Sequence, residues 1–247
     1  MMRDTCIVVN EHDQVIGNGT KKDCHVFTEH QSGILHRAFS VFLFDHENRL
    51  LLQKRAPQKF TFPENWTNTC CSHPLYGFDP SEVDTPDAIL NGTVPGTLPS
   101  PQAFPSLHEM TGIKTAARRK LNHELGIPLS QIHIQDFKYL TRLHYCAPDA
   151  PRAGYSWSWG EHEMDYILFM RQSVDLHVNA EEVCDHKYVD QEELREMMEF
   201  TSGLKWTPWF RIIAQNFLFD WWRDLDRVLS SDAFVDLKTI HRLSTHP

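Results

Sequence analysis

The stretch WGEHEMDYILF, residues 159–169, decides how the chain is to be read. It alternates polar and apolar residues at first and then becomes wholly apolar, as a strand does on entering a core. Residues two apart on a strand project from one face, so Glu161 and Glu163 point the same way. Two carboxylates held that close raise each other's proton affinity unless a cation neutralises them. The pair is either a solvated strand face or half of a metal or proton-transfer site, and the apolar continuation argues against full exposure.

Elements upstream and downstream frame this strand. CIVV at 6–9, a turn at EHDQ and VIGNGT predict a first hairpin, and AFSVFLF at 38–44, DHEN and RLLLQKR at 49–55 predict a second. IKTAARRKLNHEL at 113–125 reads as a helix with Ala117, Leu121 and Leu125 at spacing four and Gly126 as its stop. Glu124, three residues past Leu121, borders the buried stripe and faces inward. Thr207 and Pro208 begin a long C-terminal helix with Trp209, Ile213, Phe217, Trp221, Leu225 and Leu229 at spacing four. Ahead of the 113–125 helix, residues 76–106 carry six prolines and three glycines without apolar periodicity, which predicts a surface insertion. Strands on both sides of a central helix, with further helices late, give an α+β fold. A chain of 247 residues with 41% hydrophobic content fits one elaborated domain over 1–247.

Composition limits the function classes. The net charge of −9, with no long basic tract, disfavours nucleic-acid binding. No apolar run reaches the roughly 18 residues that span a bilayer, MMRDTC lacks a signal-peptide pattern, and LSTHP is not an SKL-type address. Six scattered cysteines make no disulfide framework, so reduced thiols and a cytoplasmic location are expected.

Further residues could carry chemistry. His25, His36 and His73 beside strand starts would, with Glu161 and Glu163, form an N3O2 donor set suited to Zn, Mn or Mg, in no compact zinc-finger spacing. In NTCCSHPL, residues 68–75, alternation turns Cys70 and Cys71 to opposite sides. Cys70 reads as a packed thiol, whereas Cys71 shares a face with His73. Lys21, Arg37, Arg55, Lys59, Arg118, Arg119 and Lys120 supply candidate anion contacts such as a diphosphate needs.

Taken in order, GTKKDCH, LHRAFSVFLF, LLQKRAPQKFTFPENWTNTCCSHPL, AARRKLNHELGI, DFKYL, WGEHEMDYILF and TPWF closely resemble the type I isopentenyl-diphosphate delta-isomerases of the Nudix-fold superfamily. The resemblance covers about residues 6–230. It implies a Nudix-type mixed sheet packed between helices, and an isomerase that interconverts isopentenyl and dimethylallyl diphosphate by a 1,3 proton shift in isoprenoid and sterol biosynthesis. It implies Cys71 and Glu163 as catalytic groups, with Tyr139 and Trp209 walling the prenyl pocket and Tyr139 supplying a catalytic hydroxyl. It implies His25, His36, His73, Glu161 and Glu163 as ligands of a tightly held divalent ion, Zn2+, Mn2+ or Mg2+, and Glu124 as a holder of Mg2+ against the diphosphate. Lys21, Arg55, Lys59 and Ser72 match diphosphate-contacting positions. The implied partner is a small prenyl diphosphate, with no nucleic acid and no membrane insertion, on a monomer or at most a weak dimer.

The nearest rival is a Nudix hydrolase, whose box GX5EX7REUXEEXGU gathers Mg by several carboxylates. With its glycine on Gly126, Arg119 and Glu124 fall in place, but Lys120 and His123 occupy two carboxylate positions, and Pro105 and Thr111 stand where the early Gly and Glu belong. A non-catalytic metal-binding relative would be expected to have lost Cys71 or Glu163, and both are present.

Overall fold

The computed structural model describes residues 4–84, 110–150 and 156–244. Its centre is a parallel pair, β5 (His36–Phe44) and β10 (Ser158–Arg171), in register from His36 opposite Glu163 to Phe44 opposite Arg171. Every residue of β5 is buried, as a strand covered on both faces requires. β10 continues antiparallel onto β9 (Lys138–Pro148). On its other edge β5 is shared by three partners in turn: β1 (Thr5–Val9) at His36, β8 (Cys70–Ser72) at Phe39–Val41, and β6 (Leu50–Arg55) at Phe44. β6 then leaves to pair with β11 (Val183–Val189), so the sheet is mixed and the α+β expectation holds.

The first hairpin forms as expected, β1 against β2 (Val15–Thr20). The second pairs only at Phe44 and Leu50, because a polar wedge splays it open. Thr69 accepts the Leu43 N–H at 2.9 Å and donates to Leu51 O at 2.6 Å, replacing a direct ladder bond, while Asn68 donates to Val41 O and Cys70 O. Buried backbone groups must find partners, and the Asn-Thr preceding the cysteines supplies them where the strands part.

Helices cover both faces. On one, Ile113, Ala117, Leu121 and Leu125 of α2 (Thr111–Leu125) pack on Phe39, Val41, Cys70 and Leu168. On the other, Phe210, Trp221 and Trp222 pack on Phe42, Phe44 and Phe169. Each of the larger ones, the leucines, isoleucine, valine and phenylalanines, contributes roughly 1.5–3 kcal/mol on burial. No residue at the start of α2 caps it; instead the Asp84 carboxylate accepts the Gly112 and Ile113 N–H groups at 3.0 and 2.8 Å, where the helix dipole favours an anion. Gly126 ends the helix at φ +64, and a Cβ there would lie 1.9 Å from His177 O.

One expectation changes. The C-terminal segment is not one regular helix: α4 (Pro208–Ile213) passes through a π-turn (Ala214–Leu218) into α5 (Phe219–Arg223), then breaks at Asp224 before α6 (Leu225–Ser230). A stripe repeated every four residues drifts about 40° per step on an α-helix, and the wider π-turn resets it, so that Leu218 rather than Phe217 is fully buried. Of the expected insertion, residues 85–106 lie outside the described residues. At its start, fully buried Glu82 accepts two bonds from Arg119 and one from the Leu75 N–H, and Arg37 donates to Asp84 O. No described helix is long and apolar enough to cross a membrane.

Candidate active site and metal centre

The short helix α1 (Lys21–His25), begun by the Thr20 hydroxyl accepting the Asp23 N–H, turns His25 toward Glu161 near the start of β10. His36 enters from the start of β5 and His73 from just beyond β8. The three imidazole centroids stand 4.7, 4.8 and 4.7 Å apart. One ligand atom from each, and one from each of Glu161 and Glu163, lie within 4.8 Å of one another, all buried. His25 Nδ1 donates to Lys21 O and His36 Nδ1 to Ile34 O, at 2.6 and 2.7 Å, which fixes both tautomers and aims both Nε2 atoms inward. His25 Nε2 pairs with Glu161 Oε2 at 2.8 Å and His73 Nε2 bonds Glu163 Oε1 at 2.8 Å, whereas buried His36 Nε2 has no hydrogen-bond partner. Three imidazole nitrogens and two carboxylate oxygens, all buried and converging on one point, with His36 Nε2 unpartnered, are a donor set that a divalent cation takes, so the five residues fit one.

The electrostatics agree. Burial pushes His36 down to about 3, helped by His25, and holds His73 well below the imidazole range, so both are neutral donors. The two carboxylates are driven apart. Burial raises Glu161, but His25 and the Thr61 hydroxyl outweigh it and hold the group low, whereas burial, then the charge of Glu161, then Asp165 raise Glu163. A cation at the centre would remove that conflict.

Beside this centre lies a cavity of about 360 Å³ whose walls include Cys71, Glu163, Lys21, Arg55, Lys59 and Trp209. Ser72 also lines it. Burial raises the Cys71 thiol to about 12 against the lowering effect of Arg55, so it carries its proton at neutral pH. Arg55 Nη1 is 3.7 Å from Cys71 Sγ, and its guanidinium carbon lies 5.5 Å from the centre of the Trp209 ring. Lys59 is held by Glu182 at 2.6 Å, with Glu124 at 3.7 Å. Glu124 does face inward and is 1% exposed, but Lys120 at 3.0 Å and Gln53 occupy it; these partners outweigh burial and keep it ionised. Cys70 packs on the opposite face with α2, so the doublet divides as its alternation predicts. Arg37, Arg118 and Arg119 are engaged elsewhere, with Asp13, Ile132 O and Glu82.

Tyr139 is a correction. Its hydroxyl donates to Asp236 O and its ring packs with Tyr166, on the far face from the cavity. The tyrosine at the site is Tyr145, which donates to Glu163 and stacks 6.2 Å from Trp209. The two are six residues apart and would share a face on a regular strand. A bulge between the Tyr139–Leu168 and Arg142–Tyr166 pairs inserts one residue and reverses the phase. Sequence reading also missed Thr61, Glu182 and Asp165, the last lying two residues past Glu163 on the same face and bonded to Ser40. The two-residue continuation of E-x-E into Asp165 was the only signal available for any of them.

A mixed sheet between helices, carrying a buried five-ligand centre beside a cation-lined cavity, defines an enzyme suited to a divalent metal and a small anionic substrate. No protein-family model matches the chain. Among curated proteins, it is 47% identical over 245 residues to an isopentenyl-diphosphate delta-isomerase of Candida albicans, covering 98% of this chain and 80% of that one. It is 44% identical over 243 residues to one of Gibberella zeae and 42% over 245 to one of Mus musculus, covering 84% and 93% of those proteins. The chain belongs to the isopentenyl-diphosphate delta-isomerase family. The crystal structure of DR0079 from Deinococcus radiodurans shares the fold, with a TM-score of 0.53 and 13% identity over 87% of this chain and all of that one.

Proposed function

We infer that the chain is an isomerase that interconverts isopentenyl and dimethylallyl diphosphate in isoprenoid biosynthesis, with Cys71 and Glu163 as its two proton-transfer groups. The observation that carries this reading is that a protonated thiol and a carboxyl line one cavity with Lys21, Arg55 and Lys59 on its wall. Substrate and product differ only in the position of a double bond. One proton must be added to the terminal alkene carbon and another removed from the carbon on the other side, through a tertiary carbocation. An acid and a base in one cavity are sufficient for that, and no atom is left over.

The carbocation needs stabilising and must not meet water. Trp209, 2% exposed, offers an indole face worth about 2 kcal/mol or more to a desolvated cation. Tyr145 holds Glu163 from the facing strand. Lys21, Arg55, Lys59 and Ser72 bind the diphosphate, Arg55 through Nη1, since Thr61 holds its other two nitrogens, and the lysines as point charges. His25, His36, His73, Glu161 and Glu163 would hold a tight divalent ion, whose charge neutralises the paired carboxylates. Glu124 would serve an Mg2+ ion that accompanies the diphosphate, once Lys120 and Lys59 yield it. A single domain over 1–247 with an insertion, acting as a monomer in the cytoplasm, completes the reading.

The hydrolase alternative is disfavoured by what stands at its carboxylate positions. Lys120 neutralises Glu124, and His123 lies 3.1 Å from Glu182. Incubation with isopentenyl diphosphate, Mg2+ and a second divalent ion in heavy water tests both. Deuterated dimethylallyl diphosphate without released phosphate is expected; released phosphate instead would establish the hydrolase.

A further inference from the structure

Thr61 lies in the loop after β6 and is 5% exposed. Its hydroxyl donates to Glu161 Oε1 at 2.6 Å and accepts from Arg55 Nη2 at 3.0 Å. Its carbonyl accepts from Arg55 Nε and Nη2, at 3.1 and 2.9 Å. Two of the three guanidinium nitrogens are therefore locked, and Nη1 is left facing the Cys71 side of the cavity, 3.7 Å from Sγ. The next residue, Phe62, has φ +45, a conformation few non-glycine residues adopt, and is fastened by its N–H to Asp149 at 2.8 Å. The loop is thus pinned in the position that lets one hydroxyl serve both groups.

The hydroxyl has one hydrogen. While it points at Glu161, its lone pairs are turned toward Arg55; if Glu161 shifts and the hydrogen rotates away, the acceptor at Arg55 moves with it. Glu161 is a candidate metal ligand and Arg55 a candidate diphosphate contact, so a single side chain connects the two halves of the site. Resting on the functional reading above, we propose that Thr61 is a positioning residue that couples occupancy of the metal centre to binding of the diphosphate. Linkage makes the effect reciprocal: whatever a bound diphosphate does for metal retention, bound metal does for diphosphate affinity. A hydroxyl that only braced the loop would support each half without linking them.

The test times loss of bound Zn2+ from the whole protein to excess EDTA, by assay of metal retained after desalting, with and without inorganic pyrophosphate. EDTA in excess makes chelation by pyrophosphate immaterial. Pyrophosphate is expected to slow metal loss about tenfold in the parent and in Thr61→Ser, which keeps the hydroxyl. In Thr61→Val, which keeps the shape and loses the hydroxyl, metal should leave about tenfold faster and pyrophosphate should no longer change the rate. Circular dichroism checks the fold, and Thr61→Ala serves if the valine variant does not fold. No effect of pyrophosphate on the parent, or the same slowing in the hydroxyl-free variant, would overturn the proposal. A parallel isomerase assay of the parent detects failure of the functional reading separately.

Discussion

Tyr145 stands directly across from Glu163 in the β9–β10 ladder and donates its hydroxyl to that carboxylate. A facing pair on adjacent strands keeps a fixed separation, so the carboxyl is held by the sheet itself rather than by a loop. Tyr145→Phe should lower turnover about ten- to a hundredfold, as loss of a partner that orients a metal-linked carboxyl does. Tyr139→Phe should leave turnover near the parent value and cost about 1 kcal/mol of stability, from its bond to Asp236 O. Steady-state kinetics and thermal unfolding of both variants measure this, and equal loss of turnover in the two would contradict the assignment.

Cys71→Ala and Glu163→Gln should each abolish formation of dimethylallyl diphosphate while circular dichroism stays unchanged. Cys70→Ala should keep most turnover and lose about 1 kcal/mol, since that thiol packs in the core against α2 and its one polar contact is a long one, 3.6 Å to Glu124 Oε2. Near-normal turnover in either of the first two variants would refute their roles.

Removing bound metal should destabilise the protein, because it leaves the Glu161 and Glu163 carboxyls buried together. A ligand present at a hundred times its dissociation constant contributes about 2.7 kcal/mol, so the melting temperature should fall on treatment with EDTA and return with Zn2+ or Mn2+. An unchanged melting curve would mean that the five residues hold no ion.

Glu182 should contribute stability that depends on pH in a defined direction. Burial raises its carboxyl, but Lys59 first and Lys120 after it outweigh this, and the net shift is downward from 4.5. A carboxyl held lower when folded than when unfolded stabilises above the unfolded value and loses that contribution as the pH falls through the folded value. Glu182→Gln should therefore cost about 2 kcal/mol at pH 7, and the difference from the parent should shrink as the pH falls below 4.5. Chemical denaturation at a series of pH values reads this; a difference that grows on acidification would contradict it.

Much of the site was legible because strand and helix periods act locally. Period two put Glu161 with Glu163 and separated Cys70 from Cys71, and period four with a terminal glycine gave α2 and turned Glu124 inward. Motif order supplied the three histidines and the cations. The structure then brought all five candidate metal ligands together and placed Lys21, Arg55, Lys59, Ser72 and Trp209 around the adjoining cavity.

What the residues determined alone was therefore which side of its own element each group takes, because backbone geometry fixes that within a few positions. What only the tertiary structure decided was anything that depended on a change of phase or on a distant partner. One inserted residue in β9 exchanged Tyr139 for Tyr145, since a strand's faces keep their parity only until a bulge resets it. Asp84 caps a helix 28 positions further on, at Gly112, and Thr61 reaches Glu161 across 100 positions. No local period encodes such contacts; they exist because packing two faces of one sheet brings those groups within hydrogen-bonding distance and leaves them no water to bond instead.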